Sequence, residues 1–126
     1  MPNPLAAMDA LLEADLLNLP AGTTHGSDFP TGKLDHVHVQ VAWDGTPSDA
    51  DNRETAAIRF TVWSPKGHVI EAQDVAGSLR ARVLAWSSAD VWRIDRGAGR
   101  LPGIDRDSGL PFCTFTVNVA LTAPTP

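Results

Sequence analysis

Between residues 4 and 19 apolar side chains recur every three or four positions, at Leu5, Met8, Leu12, Leu16 and Leu19. That spacing lays one apolar stripe along a helix. Asn3 offers a side-chain oxygen to the first unpaired N–H groups, Pro4 suits the first turn, and Pro20 stops the run, which predicts a helix over 4–18. From His36 the period drops to two. Val37, Val39, Val41 and Trp43 alternate with His36, His38, Gln40 and Ala42, the mark of a strand with one buried face. A second such run covers Thr55 to Trp63, with Ile58, Phe60 and Val62 on one face and Arg59, Thr61 and Trp63 on the other. Helical spacing returns at Val69, Ala72, Val75 or Ala76, Leu79, Val83 and Trp86. It predicts a helix over 67–86, with Ser64-Pro65 as its start. Gly77 in its middle either costs about 1 kcal/mol against alanine or admits a close helix–sheet contact. A short strand at Asp90 to Asp95 and a final one at Cys113 to Leu121, with Phe115, Val117, Val119 and Leu121 inward, complete the pattern.

Three segments read as loops: Ala21 to Lys33, Asp44 to Glu54 and Arg96 to Pro111, each polar or rich in glycine and proline. The order is then α-β-β-α-β-β without an internal repeat. It predicts an α+β fold, a mixed or antiparallel four-stranded sheet with two helices packed on one face. With 126 residues the chain has the length of one domain, expected over 1–126 with frayed ends at 1–3 and 122–126.

Composition narrows the function classes. At 43% apolar the chain can build a core. Fifteen acids against ten bases give a net charge of −5, with the arginines spread among acids, which argues against nucleic acid as the main partner. The N-terminus lacks a basic region followed by an apolar run, and no stretch has the length of a membrane span. The chain is therefore expected to stay where it is made.

Candidate chemistry is sparse. His36 and His38 would project from one strand face, a spacing some metal sites use, with His25 and Asp28 upstream as further ligands. Two imidazoles on a solvated strand face are also ordinary. Asp105-Arg106-Asp107-Ser108-Gly109 superficially suggests a calcium loop, but glycine arrives at the fifth position and Thr116 occupies the twelfth. A turn between two strands, with Gly109 at positive φ, explains the same residues. Asp49, Asp51 and Glu54 lie in a polar loop with no apolar wall to raise a pKa. The lone Cys113 opens an apolar alternating run and reads as a buried thiol. No phosphate-binding loop, dinucleotide fingerprint or nucleophile elbow occurs. No catalytic residue, cofactor or metal is predicted.

Trp43, Trp63, Trp86 and Trp92 fall at or near the ends of predicted elements, where large rings either close the core or face a partner. Trp63 shares its strand face with Arg59, and such a pair fits a subunit interface.

The arrangement resembles the tail terminator family of long-tailed phages with non-contractile tails, among their minor tail or neck proteins. The likeness rests on an acidic-apolar N-terminal helix, the strand holding VHVQVAW, and a loop with Asp51 and Arg53 before a strand ending Phe60-Thr61-Val62-Trp63. The helix with Ala72, Val75, Ala76, Leu79 and Val83 follows, then the Asp107 to Pro111 turn and the closing strand, so the likeness spans Leu5 to Leu121. The resemblance implies a virion protein assembled in the host cytoplasm. It would form a ring, expected as a hexamer, that docks on the finished end of the tail tube and stops its polymerisation. The ring would present a surface to the head-completion proteins and pass DNA through its lumen without specific recognition. Asp51 and Arg53 in the first long loop, and Arg100 and Asp105 in the second, then join Arg59, Trp63 and Trp43 as contact candidates. The rivals are a head-closure or adaptor protein of the phage neck and, from another class, a small metalloenzyme built on His36 and His38.

Overall fold

A computed structural model describes residues 3–30, 33–48, 55–86, 88 and 91–121, without the side chains of 46–48 and 92. Helix α1 (Pro4–Asp15) starts where the sequence places it: Asn3 Oδ1 accepts from the Leu5 and Ala6 amides at 2.9 and 3.3 Å. One 3₁₀ turn (Leu16–Asn18) extends it to the predicted end. Asn3, expected to fray, is held by this cap. Helix α2 (Val69–Ala85) begins five residues after Ser64, not at it. The Ser64 amide continues the sheet, donating to the Pro111 carbonyl at 3.1 Å, and its hydroxyl is buried without capping anything. Gly67, at φ 89°, then turns the chain into the helix.

The sheet has six strands where four were predicted: β1 (Thr24–Gly26), β2 (His38–Ser48), β3 (Thr55–Trp63), β4 (Val91–Arg96), β5 (Leu101–Ile104) and β6 (Pro111–Leu121). Their order is β1-β2-β3-β6-β4, and β5 also pairs with β6. Only β1 runs parallel to its neighbour, so the sheet is mixed. Each predicted loop gave up residues to pairing. Three of them from 21–33 form β1 against His38, Val39 and Gln40. From 44–54, β2 extends to Ser48 through bulges at Trp43/Gly45 and Gly45/Ser48; Asp49, Asp51, Arg53 and Glu54 lie outside the described residues. From 96–111, β5 forms, and the link before it also bonds to β6. The Gly97 amide donates to the Thr116 carbonyl at 3.1 Å, and the Thr116 amide to Ala98 at 3.2 Å. Residues 91–104 are therefore one interrupted edge strand, folding back into β6 through the turn at 105–110.

Alternation decides the two faces. Val37, Val39, Val41, Ala56, Ile58, Phe60, Val62, Cys113, Phe115, Val117, Val119 and Leu121 join Met8, Leu11 and Leu12 of α1 and Ala72, Ala76, Leu79 and Val83 of α2 in one core. Both helices thus lie on the same face. Phe60 and Phe115 are cross-strand partners stacked at 5.1 Å between centroids, and neither is exposed. The helices are tied together by Arg82, whose Nε donates to both Asp15 oxygens at 2.7 and 2.9 Å. Asn18 Nδ2 donates to the same carboxylate at 3.0 Å. Trp43 departs from its apolar neighbours. The first turn of α1 reaches Val41, where Leu5 and Ala6 line a cavity. Trp43 lies one rung beyond and is 41% exposed. No helix of the described residues is long and apolar enough to cross a membrane.

Candidate functional site

Among the described residues no helix covers the second face of the sheet. Ala57, Arg59 and Thr61 of β3 point to it, Thr61 itself only 9% exposed, alongside Thr114, Thr116 and Asn118 of β6. Short hydroxyl and amide side chains make this face polar and low in relief. Thr114 Oγ1 sits 3.2 Å from Thr61 Oγ1 and donates to the Phe60 carbonyl at 2.9 Å. Charges on this face and its margins pair locally: Arg59 with Asp44 at 3.4 Å, and Arg93 with Asp95 at 2.9 Å. Both pairs are substantially exposed, so each holds little energy.

At one end this face becomes aromatic. Trp63 is paired across the strands with Phe112, their centroids 5.2 Å apart, and Phe29 meets it edge-on at 6.1 Å. The Trp63 indole N–H donates to Gln40 Oε1 at 3.0 Å. The ring expected to face a partner beside Arg59 is only 5% exposed, because residues 27–29 cross over it. Gln40 Nε2 donates to the Ser27 carbonyl at 3.3 Å and fixes that crossing. The Phe112 ring in turn lies over Gly103, where a Cβ would come within 2.6 Å of it. A cavity of about 280 Å³ remains, lined by Arg59, Thr61, Trp63, Asp105, Phe112 and Thr114 among others. Of the predicted contact residues, the structure brings Arg59, Trp63 and Asp105 together here. Phe29, 76% exposed, was missed. A lone aromatic residue in a polar loop carries no periodicity that could have marked it.

The histidines fall into two separate groups. Thr24 pairs with His38 and His25 with Val39, so parity sends Thr24 and His38 to the open face and His25 to the helices. Thr24 Oγ1 lies 2.9 Å from His36 Nε2 and 2.7 Å from His38 Nδ1. His38 Nε2 is 3.0 Å from the Asp28 carbonyl, and His36 Nδ1 is 2.7 Å from Asp35 Oδ1. Both of those oxygens can only accept, and the threonine hydroxyl has one proton. The chain is fully satisfied with a single positive charge. Burial lowers the pKa of His38, and hydrogen bonding with His36 holds Asp35 below the usual carboxylate range. His25 sits on the other side, with Nδ1 3.0 Å from Asp9 and Nε2 2.8 Å from Glu13. The expected ligand set therefore does not converge: His25 faces away, and Asp28 contributes its backbone carbonyl. Among the described residues no group of three or more His, Cys, Asp or Glu side chains is arranged to hold a metal ion. These contacts fasten the three-residue β1 from both sides.

The turn at 105–110 behaves as a turn. Ser108 donates to Asp105 Oδ2 from its amide at 2.9 Å and its hydroxyl at 2.8 Å, which lowers the Asp105 pKa. Gly109 takes φ 74°, as its position required. Cys113 is buried, and burial raises its thiol pKa, the opposite of an activated nucleophile. Arg100 lies over α2, its Nη1 donating to the Gln73 carbonyl at 3.4 Å. A Cβ at Gly77 would meet that nitrogen at 2.5 Å, so the glycine makes room for an arginine and not for the sheet. No protein-family model matches the sequence, and no curated protein is significantly similar to it.

Proposed function

We propose that this chain is a structural subunit of a phage tail, a tail terminator. Copies of it would close a ring on the finished end of the tail tube, stop polymerisation and offer the attachment surface for head-completion proteins. The observation that supports this reading best is the sheet face opposite the helices, with Arg59 paired to Asp44 and threonines beside it. A ring that passes DNA without reading it calls for a lining that is polar, low in relief and locally charge-neutral. Steering charges or inserted side chains would hold the duplex. The groups brought together around Arg59 on that face are arranged for contact: the hydroxyls of Thr61, Thr114 and Thr116, the Asn118 amide, an ion pair and an aromatic end. The 105–110 turn, at one end of the sheet, suits a neighbour stacked along the tail.

Mixing the purified protein with growing tail tubes tests the reading. A terminator halts elongation and appears as an extra layer at one tube end by electron microscopy. Unchanged tube growth removes the proposal, and binding to the head connector in preference to tubes favours a head-closure role instead.

A further inference from the structure

The register places the two outer strands on one rung, and at one end of it the Trp43 indole N–H donates to the Gly45 carbonyl at 3.0 Å. Trp43 pairs with Ile58, Ile58 with Val117, and Val117 with Arg96. All four side chains share the helix-covered face. Ile58 and Val117 are fully buried there, while Trp43 at one edge and Arg96 at the other are exposed. Among the described residues nothing pairs with the outer edge of β2 at this level, because β1 pairs with His38 to Gln40. Beside it, between α1 and the end of β1, lies a cavity of about 360 Å³ lined by Leu5, Ala6, Asp9, His25, Gly26 and Val41.

The two edges also differ in charge. Along the chain, residues 1–51 hold eight acids against one base, and residues 52–126 hold seven acids against nine bases. Among the described residues, part of that asymmetry falls at opposite edges of the sheet. Asp9 and Glu13, 63% and 60% exposed, stand over the β1–β2 side, and Asp44 lies on β2 itself. At the β4–β5 edge Arg96 is exposed, Arg93 is paired with Asp95, and Arg100 reaches over α2 to the Gln73 carbonyl.

We infer that a second copy of this chain docks head to tail, its β4 edge against the open β2 edge, with its Arg96 guanidinium on the face of Trp43. The arginine stem then lies toward the apolar cavity and the Asp9 carboxylate. Strand directions allow it: β3 is antiparallel to both β2 and β6, and β6 to β4, so β4 runs antiparallel to β2. Copies rotated side by side bring those two edges together in the antiparallel sense. A cation over tryptophan, desolvated by its neighbours, gives a specific anchor, and opposite edge charges reject the like-to-like pairing. The bulges after Trp43 confine the contact to a short stretch, which limits open-ended growth. The contact is heterologous, so it closes into a ring when the rotation permits. It deepens the ring reading above but stands on its own residues.

Sedimentation of Trp43→Arg and Arg96→Ala, both at exposed positions, tests it. Each alone should weaken self-association at least tenfold without changing the melting curve. Mixed together they should form 1:1 dimers and nothing larger, since one intact edge remains on each. A Trp43→Cys/Arg96→Cys variant should oxidise into a ladder of covalent oligomers, whatever the single variants do. A wild-type chain that stays monomeric at its highest soluble concentration, singles that associate like wild type, or no ladder would overturn the contact. Lack of tube capping by a protein that shows all three results would remove the terminator role alone.

Discussion

The two faces of the sheet are built from the same strands, residue by residue, yet they do opposite things. Phe60 and Thr61 are consecutive; one is stacked on Phe115 beneath both helices, the other is a polar residue over which no helix passes. The covered face holds the energy of the fold, because each apolar side chain placed there leaves water. Away from the Trp63 end, which residues 27–29 cover, the open face contributes less to stability than the covered one.

Substitution should expose that division most sharply at the aromatic stack. Phe60→Ala leaves a cavity between strands and helices and should cost about 3–5 kcal/mol, whereas Thr61→Ala should cost less than about 1 kcal/mol. Chemical denaturation of the two variants measures the contrast; equal losses would mean the open face is also core. Next in size is the tie between the helices. Arg82→Ala strips the nearly buried Asp15 carboxylate of its ion pair, leaving only the Asn18 amide beside it, and should cost about 2–4 kcal/mol. Double substitution with Asp15→Asn should recover part of that loss.

Gly97→Ala probes the edge strand that the sequence concealed. A Cβ there would stand 2.7 Å from the Thr116 carbonyl oxygen, so β4 must shift, at about 1–3 kcal/mol. Hydrogen exchange should show the loss at 91–98 first. A smaller effect follows from His38. Burial disfavours its charged ring, so the folded chain binds fewer protons than the unfolded one below the ordinary value of 6.5. Its contribution is present above that pH and declines as the solution is acidified. The melting temperature should fall between pH 7.5 and 5.5, and His38→Gln should flatten that slope. Smallest of all, Arg59→Ala removes an exposed pair at 3.4 Å and should change stability by less than about 0.5 kcal/mol, while altering any assembly that uses the open face.

Much of the covered face was readable in advance. The stripes of α1 and α2 and the alternation of β3 and β6 come from burial, and burial repeats with the period of the element. The missing strands had no such signal. Residues 24–26 are too few to show a period, and 97–104 carry glycines and a proline because a bulged edge needs them. Those same residues read as a loop when pairing partners are unknown. The site was less legible than the core. Arg59 was placed on the correct face, but whether Trp63 beside it closes the core or faces a partner was left open, since nothing local reveals that residues 27–29 fold over its ring. His36 and His38 did come together, through a hydroxyl from Thr24 that no spacing rule connects to them.

The sequence by itself determined which side chains must leave water and on what repeat, and so settled the helices, two of the long strands and the buried face. Only the tertiary structure decided the width of the sheet, what covers Trp63, and that Trp43 and Arg96 share a rung on opposite edges. Hydrophobic burial is written locally in the chain, whereas pairing between strands is set by partners distant in sequence, and no residue carries a record of its partner until the sheet is assembled.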